Sequence, residues 1–356
     1  MIMWHHLISK LIDTESKIIR DMFQIPLPSS QEQSTWHSSI FDIKENQSIG
    51  PNNEFIITEA IRTYKPTDRQ AQIKGVYFGI HNKDDSEVFI KIGYKRAQSH
   101  IIKEAKYLSM LQSCPEFGIP ELIWCGNHGL YNIIITEKLG PSLSSLLREY
   151  YPLSHQSVLV IAKQLVQSIA FLHQQKLMHR DIKPANICMG SNNNPNRIYL
   201  IDFETCLSYE SGEEYRVGTY DYMSINVHSN LDYTWYDDLE SAGYTIINLM
   251  KGTLPWKSIS RTKIERKYSK FDNKRYEHEI LLMKRKTPLK DLCKDLPIEI
   301  ELMMEYVIGE TKAIADIEFE RLERLDKPDY IYIQQLFSKA GCNLCDHKFE
   351  WSQSIY

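Results

Sequence analysis

The spacing of apolar residues changes character near Leu139, and this change limits the folds open to the chain. Before it, short β-branched runs alternate with polar loops: EFIITEAI from residue 54, GVYFGI from 75, EVFIKIGY from 87 and YNIIITEKL from 131. Runs of this kind read as strands. One segment among them, SHIIKEAKYLSMLQS from residue 99, reads as a helix. After Leu139 the helical period takes over. Val158, Ile161, Leu165, Ile169 and Leu172 recur at steps of three and four, a buried helical stripe. A second helix is expected near Asp238–Met250, with several more behind it. The expectation is an α+β chain, a small antiparallel β lobe with one helix followed by a large, mainly α-helical lobe.

Composition removes several classes of function. A net charge of -4 argues against bulk binding of nucleic acid. No stretch reaches the ~20 apolar residues of a membrane span, so no membrane partner is expected. The seven cysteines are mostly scattered, which suits a reducing compartment, and a cytoplasmic or nuclear monomer is expected. Only CNLCDH (342–347) has ligand-like spacing, and it lacks the second pair that a zinc site needs.

Residues 1–50 read as an N-terminal extension ahead of a domain spanning 51–351, its lobes meeting near 138/139. Trp4, Leu7, Ile8, Leu11, Ile12, Ile18, Ile19 and Met22 fall roughly on one helical face, which Pro26 and Pro28 end. Residues 29–53 are polar and loop-like.

The chemistry concentrates in HRDIKPAN at 179–186. Transfer of a phosphoryl group to a hydroxyl needs a carboxylate to orient the nucleophile and accept its proton, and Asp181 fits. Lys183 fits as a cation that neutralises the moving group. Asn186 offers an amide oxygen to Mg²⁺, and Asp202, sixteen residues on at the end of an apolar run, offers a carboxylate. Upstream, Lys91 in VFIK lies on a strand and can reach the α/β-phosphates of ATP, with Glu104 in the helix as its ion-pair partner.

Further stretches narrow the comparison. GTYDYMSINVH (218–228), WYDDLESAGYTIINLMKGTLPW (235–256), GIPELIWCG, LGPSLSSLL, KTPLKDLC and the ending KPDYIYIQQLF…KFEW resemble the casein kinase 1 group of protein kinases, relatives of which include tau-tubulin and vaccinia-related kinases. Ser224-Ile225-Asn226 stands where most kinases carry Ala-Pro-Glu. The resemblance runs from about Glu54 to Trp351 and implies a two-lobed protein-kinase fold using ATP and Mg²⁺ on serine or threonine of a protein substrate. It implies that Asp238 anchors the backbone of the catalytic loop, that Thr136 sits behind the adenine, and that Glu137 to Leu139 form the hinge that binds the base. From Arg261 to Lys286 ten Lys/Arg face four Asp/Glu, which suits an acidic substrate.

The chain departs from the family pattern at four places. The three glycine positions of the phosphate loop are Arg69, Ala71 and Lys74. Phe89 replaces a small residue two positions before Lys91, on the same face of its strand. Glu204 replaces the glycine of Asp-Phe-Gly. Asp221 replaces an arginine that binds phosphate on primed substrates. Two readings therefore stay open: an active kinase, supported by the full set of catalytic residues, and a pseudokinase scaffold, supported by the departures around ATP. A small-molecule phosphotransferase fits residues 218–256 poorly.

Overall fold

The computed structural model of the chain describes residues 43–63, 73–94, 100–112, 115–129, 131–191, 194–209, 216–259, 273–315, 327–342 and 347–352. The N-terminal stripe from Trp4 to Met22 lies outside them, as do Arg69, Ala71, the side chain of Lys74, residues 261–272 of the basic stretch and Cys345. The chain divides into two compact units, the first ending at Leu139 apart from Glu116–Gly118, which belong with the second.

The first unit is a six-stranded sheet with one helix. In chain order it contains β1 (Ser48–Ile49), β2 (Phe55–Thr63), β3 (Ile73–His81), β4 (Glu87–Tyr94), α1 (His100–Leu111), β5 (Leu122–His128) and β6 (Tyr131–Glu137). The strand order is β1-β2-β3-β4-β6-β5, and every neighbouring pair is antiparallel. Alternation of side chains explains the core: Val88, Ile90 and Ile92 of β4 and Tyr131, Ile133 and Ile135 of β6 share one face with Ile43, Ile49, Phe55, Ile57 and Tyr77. Ile43 and Ile49 are thus core residues and β1 is part of the sheet. Within the described part of the segment read as loop, residues 43–53, the chain thus contains a short strand and two core residues. The second strand that sequence reading did not single out is β5, whose apolar run is broken by Gly126 and Asn127.

The second unit is mainly helical. It contains α2 (Leu143–Glu149), α3 (His155–Gln174), the short strands β7 (Leu177–Met178), β8 (Ile187–Met189), β9 (Ile198–Leu200) and β10 (Leu207–Ser208), then α4 (Ile225–His228), α5 (Trp235–Lys251), α6 (Asn273–Lys286), α7 (Leu289–Leu292), α8 (Ile298–Ala315) and α9 (Tyr330–Lys339). The apolar stripe of α3 is fully buried, as its period required. α5 starts earlier than expected because Thr234 and Asp237 form a reciprocal capping box, and it stops at Gly252, whose φ of 77° suits glycine. β7 pairs with β10 and β8 with β9, so the segments around 179–186 and 202–206 leave from paired strands.

The C-terminal segment closes over the start of α3. The Glu350 carboxylate accepts the Ser154 N–H at 2.6 Å and the Ser157 hydroxyl at 2.5 Å, and His347 Nε2 lies 2.8 Å from that hydroxyl. Burial raises the Glu350 carboxyl, but the bonds from Ser154 and Ser157 outweigh it and hold the group below its usual range. A depressed carboxylate contributes stability above its unfolded pKa and loses that contribution as pH falls through the folded value. Glu350→Gln is therefore expected to cost about 1 kcal/mol at neutral pH, allowing for the group's exposure. Denaturant melts of the two proteins should converge as the pH is lowered through the carboxylate range.

Candidate active site

Each unit carries one part of the expected machinery. In the first, the Lys91 ammonium donates to Glu104 Oε2 at 2.7 Å, and both side chains are buried. The pair forms because the register places Val76, Lys91 and Ile134 side by side across β3, β4 and β6, on the face opposite the apolar core, where α1 presents Glu104. Two positions along the same face, Phe78, Phe89 and Thr136 form the next cross-strand row. The Phe89 ring meets Phe78 edge-on at 6.4 Å, and the Lys138 ammonium lies 4.7 Å from the centre of the Phe78 ring. The expected placing of Phe89 beside Lys91 holds, and Phe78 is a second aromatic on that face that sequence reading passed over.

At the end of β6 the Glu137 side chain turns back, its Oε1 accepting the Glu121 N–H at 2.9 Å, while the Glu137 N–H donates to Glu121 O at 3.1 Å. Burial, reinforced by the charge of Glu121, raises the Glu137 carboxyl against the lowering effect of that backbone bond. Since its own N–H is already engaged, Glu137 can offer a base only its carbonyl oxygen. Leu139 closes the first unit.

In the second unit the segment 179–186 folds around Asp181. Lys183 Nζ donates to Asp181 Oδ2 at 2.6 Å, and the Thr219 hydroxyl donates to Oδ1 at 2.8 Å. Lys183 Nζ also donates to Thr219 Oγ1 at 2.8 Å, closing a triangle. Asn186 Nδ2 donates to the Asp181 carbonyl at 2.9 Å and to Oδ2 at 3.1 Å. These bonds use the nitrogen end of the Asn186 amide, so its oxygen, a hard donor suited to Mg²⁺, is the atom left for a cation. Thr219 is the functional residue that sequence reading missed. The only signal for it was its place inside the GTYDYM stretch.

The loop carrying Asp181 is held from beneath. Asp238, buried in the first turn of α5, accepts the His179 N–H at 2.7 Å on Oδ2 and the Arg180 N–H at 2.8 Å on Oδ1. His173 Nε2 adds a third contact at 3.0 Å, and Tyr330 of α9 holds the other ring nitrogen at 2.6 Å. Burial opposes the Asp238 charge, but the His173 bond, the two histidines' fields and the backbone donors together lower its pKa. The anchoring role implied for Asp238 is thus visible in its bonds.

Asp202 follows β9 in the left-handed region, φ 72° and ψ 67°, which aspartate tolerates better than most residues. The turn behind it is tied to the catalytic loop. Phe203 is fully buried with its ring edge-on to His179 at 5.4 Å, the Thr205 hydroxyl donates to His179 O at 3.0 Å, and Arg180 Nε donates to Thr205 O at 2.8 Å. Glu204 lies inside this turn and is not among the residues with positive φ, so this conformation has no need of glycine there.

Two charge expectations change. Asp221 is half-buried: burial raises its carboxyl, while Lys257 and Lys284 lower it. The repulsion of phosphate expected of this carboxylate is therefore tempered by two lysines. Lys284, counted in the basic stretch, is buried and so does not face an acidic substrate. Ser224 and Asn226 of the Ser-Ile-Asn triplet both bond Asp237, at 2.6 and 3.2 Å, fixing the triplet to the first turn of α5.

Because Asp238 is charged and fully enclosed, removing it strands two backbone donors and His173. Asp238→Ala is expected to destabilise the chain by ~3–5 kcal/mol in denaturant melts.

A family model for the protein kinase domain matches residues 72–304, well over half of the chain. The match takes in Lys91, Glu104, Asp181, Lys183, Asn186, Thr219 and Asp238, whose bonds have just been traced, and Asp202. The antiparallel sheet of the first unit and the helices of the second are the small and large lobes of that domain, and the chain belongs to the protein kinase domain family.

Proposed function

We propose that the chain is an active, Mg·ATP-dependent serine/threonine protein kinase of casein kinase 1 type. The observation that carries this reading is the triangle of Asp181, Lys183 and Thr219. Asp181 is buried, and its two oxygens are held by a lysine two residues on and by a hydroxyl from a segment 38 residues away. The arrangement suits a group that must accept a proton from an incoming hydroxyl while a cation stands next to the phosphoryl group it attacks. The site residues fit the cofactors: Lys91 is assigned to the ATP phosphates, and the oxygens of Asn186 and Asp202 to Mg²⁺. ATP supplies the phosphoryl group. The chain's own residues orient the hydroxyl, take up its proton at Asp181, and offset charge through Lys183 and Lys91. The casein kinase 1 assignment rests on the Ser-Ile-Asn triplet, which is bonded to Asp237, and with it we propose a protein substrate and a cytoplasmic or nuclear setting.

A second reading, a pseudokinase scaffold, is favoured by Phe89. Together with Phe78 it lines the face that also bears Lys91, where a small residue would leave room for a base. Glu204 supports that reading through its added charge and not through its backbone conformation, which has no need of glycine.

The test is transfer of the γ-phosphate to peptides that carry a single serine, threonine or tyrosine. Wild type should phosphorylate serine or threonine, and Asp181→Asn should lose at least ~100-fold in kcat with an unchanged melting profile. An inactive wild type, or an Asp181→Asn protein as active as its parent, contradicts the proposal. Priming is a further check. With Lys257 and Lys284 offsetting Asp221, a phosphoserine upstream of the target should change kcat/KM by less than about tenfold in either direction, equivalent to ~1.4 kcal/mol.

A further inference from the structure

The segment Thr219–Met223 carries the hydroxyl that joins Asp181 to Lys183, and its backbone is held by side chains from three other elements. Trp256 Nε1 donates to the Asp221 carbonyl at 2.8 Å. His228 Nε2, in α4, lies 2.9 Å from the Tyr220 carbonyl. Lys284, in α6, donates to the Tyr220 carbonyl at 2.8 Å and to the Met223 carbonyl at 2.5 Å, so one ammonium pins both ends of the turn. That ammonium also stands over two aromatic faces, 4.7 Å from the centre of Tyr244 and 5.1 Å from that of Trp256. A buried lysine is costly unless it is paired and hydrogen-bonded. Here its bonds go to the carbonyls of the segment that reaches into the catalytic triangle.

We propose that Lys284 is a positioning residue for phosphoryl transfer. By fixing Tyr220 and Met223 it sets the place of Thr219, and through Thr219 it sets the geometry of Asp181 and Lys183. The inference rests on the reading of the chain as an active kinase. A methionine of similar length could fill the space but has no donor for either carbonyl.

The charged groups around the ammonium decide how it responds to pH. Asp221 faces it from the turn, Glu240 and Tyr244 from α5, His228 from α4 at 3.4 Å, and Glu277 lies two turns back on α6 itself. Burial lowers the Lys284 pKa, while Glu240 and Asp221 pull it up. Glu240 is itself fixed, its Oε1 accepting the Ile225 N–H at 2.8 Å and the Tyr244 hydroxyl at 2.7 Å. His228, lowered to about 3 chiefly by burial, stays neutral throughout the working range. The cation that pins the turn is thus lost at a pH below that of an ordinary lysine.

The test compares full-length wild type, Lys284→Met and Lys284→Arg by two measurements. In the first, kcat and KM for Mg·ATP are followed with a glutamate-rich serine peptide from about pH 6 to about pH 9.5. Lys284→Met should lose ~10-fold or more in kcat, with KM for Mg·ATP within about twofold of wild type. Wild type should show an alkaline limb, and Lys284→Arg, which keeps a cation at every pH, should recover activity and lack that limb. In the second, amide hydrogen exchange is read along the chain. Protection of residues 220–223 should fall about tenfold or more in Lys284→Met, with α3 unchanged. An unchanged kcat together with unchanged exchange overturns the proposal. So does protection lost equally in α3 and α5, which is what a general packing role predicts. If wild type transfers no phosphate, the kinase reading fails on its own, and hydrogen exchange alone decides whether Lys284 sets the turn.

Discussion

Much of the second unit depends on one buried carboxylate. Asp238 accepts two consecutive backbone N–H groups, from His179 and Arg180, and Arg180 sits at φ 69°, in the left-handed region that side chains other than glycine adopt at a cost. A loop bent in that way leaves two donors pointing the same way, and a single carboxylate can take both. The support continues outward: His173 braces Asp238, Tyr330 braces His173, and the Lys327 ammonium donates to the His173 carbonyl at 3.0 Å. Residues on α3, α5 and α9 therefore fix the backbone on which Asp181, Lys183 and Asn186 are mounted. This is why residues so far from the chemistry in sequence are buried polar groups and not hydrophobic ones.

The parts of this arrangement that were legible in the sequence were those with a local signature. β4 was readable because Val88, Ile90 and Ile92 alternate over one face, and α3 because its stripe keeps the helical period. Asp181, Lys183, Asn186 and Asp202 were readable because they lie within short spacings in one stretch of chain. Thr219 and Lys284 were not, since their roles come from bonds across 38 and 61 to 64 residues, which no spacing rule contains. The basic count from 261 to 286 missed the place of Lys284 for the same reason: a lysine on a helix is assigned to solvent by default, yet Lys284 is turned inward by carbonyls supplied from elsewhere. β1 escaped notice because two residues carry no period, and only pairing with β2 gives them a place.

The departures from the family pattern differ in weight once their surroundings are known. Glu204 occupies an ordinary turn and imposes no backbone strain. Asp221 is half-buried near two lysines that temper its charge. Phe89 remains, held edge-on to Phe78 in a row that runs on through Thr136. Whether that aromatic face accommodates an adenine decides between an enzyme and a scaffold, because Lys91, Asn186 and Asp202 matter only if a nucleotide is bound.

Calorimetric titration of the full chain with ATP, with and without Mg²⁺, addresses that point most directly. The account predicts saturable one-to-one binding that Mg²⁺ strengthens and that Asp202→Ala weakens in the presence of the metal. Absence of binding at millimolar ATP, or binding indifferent to both Mg²⁺ and Asp202→Ala, would contradict it.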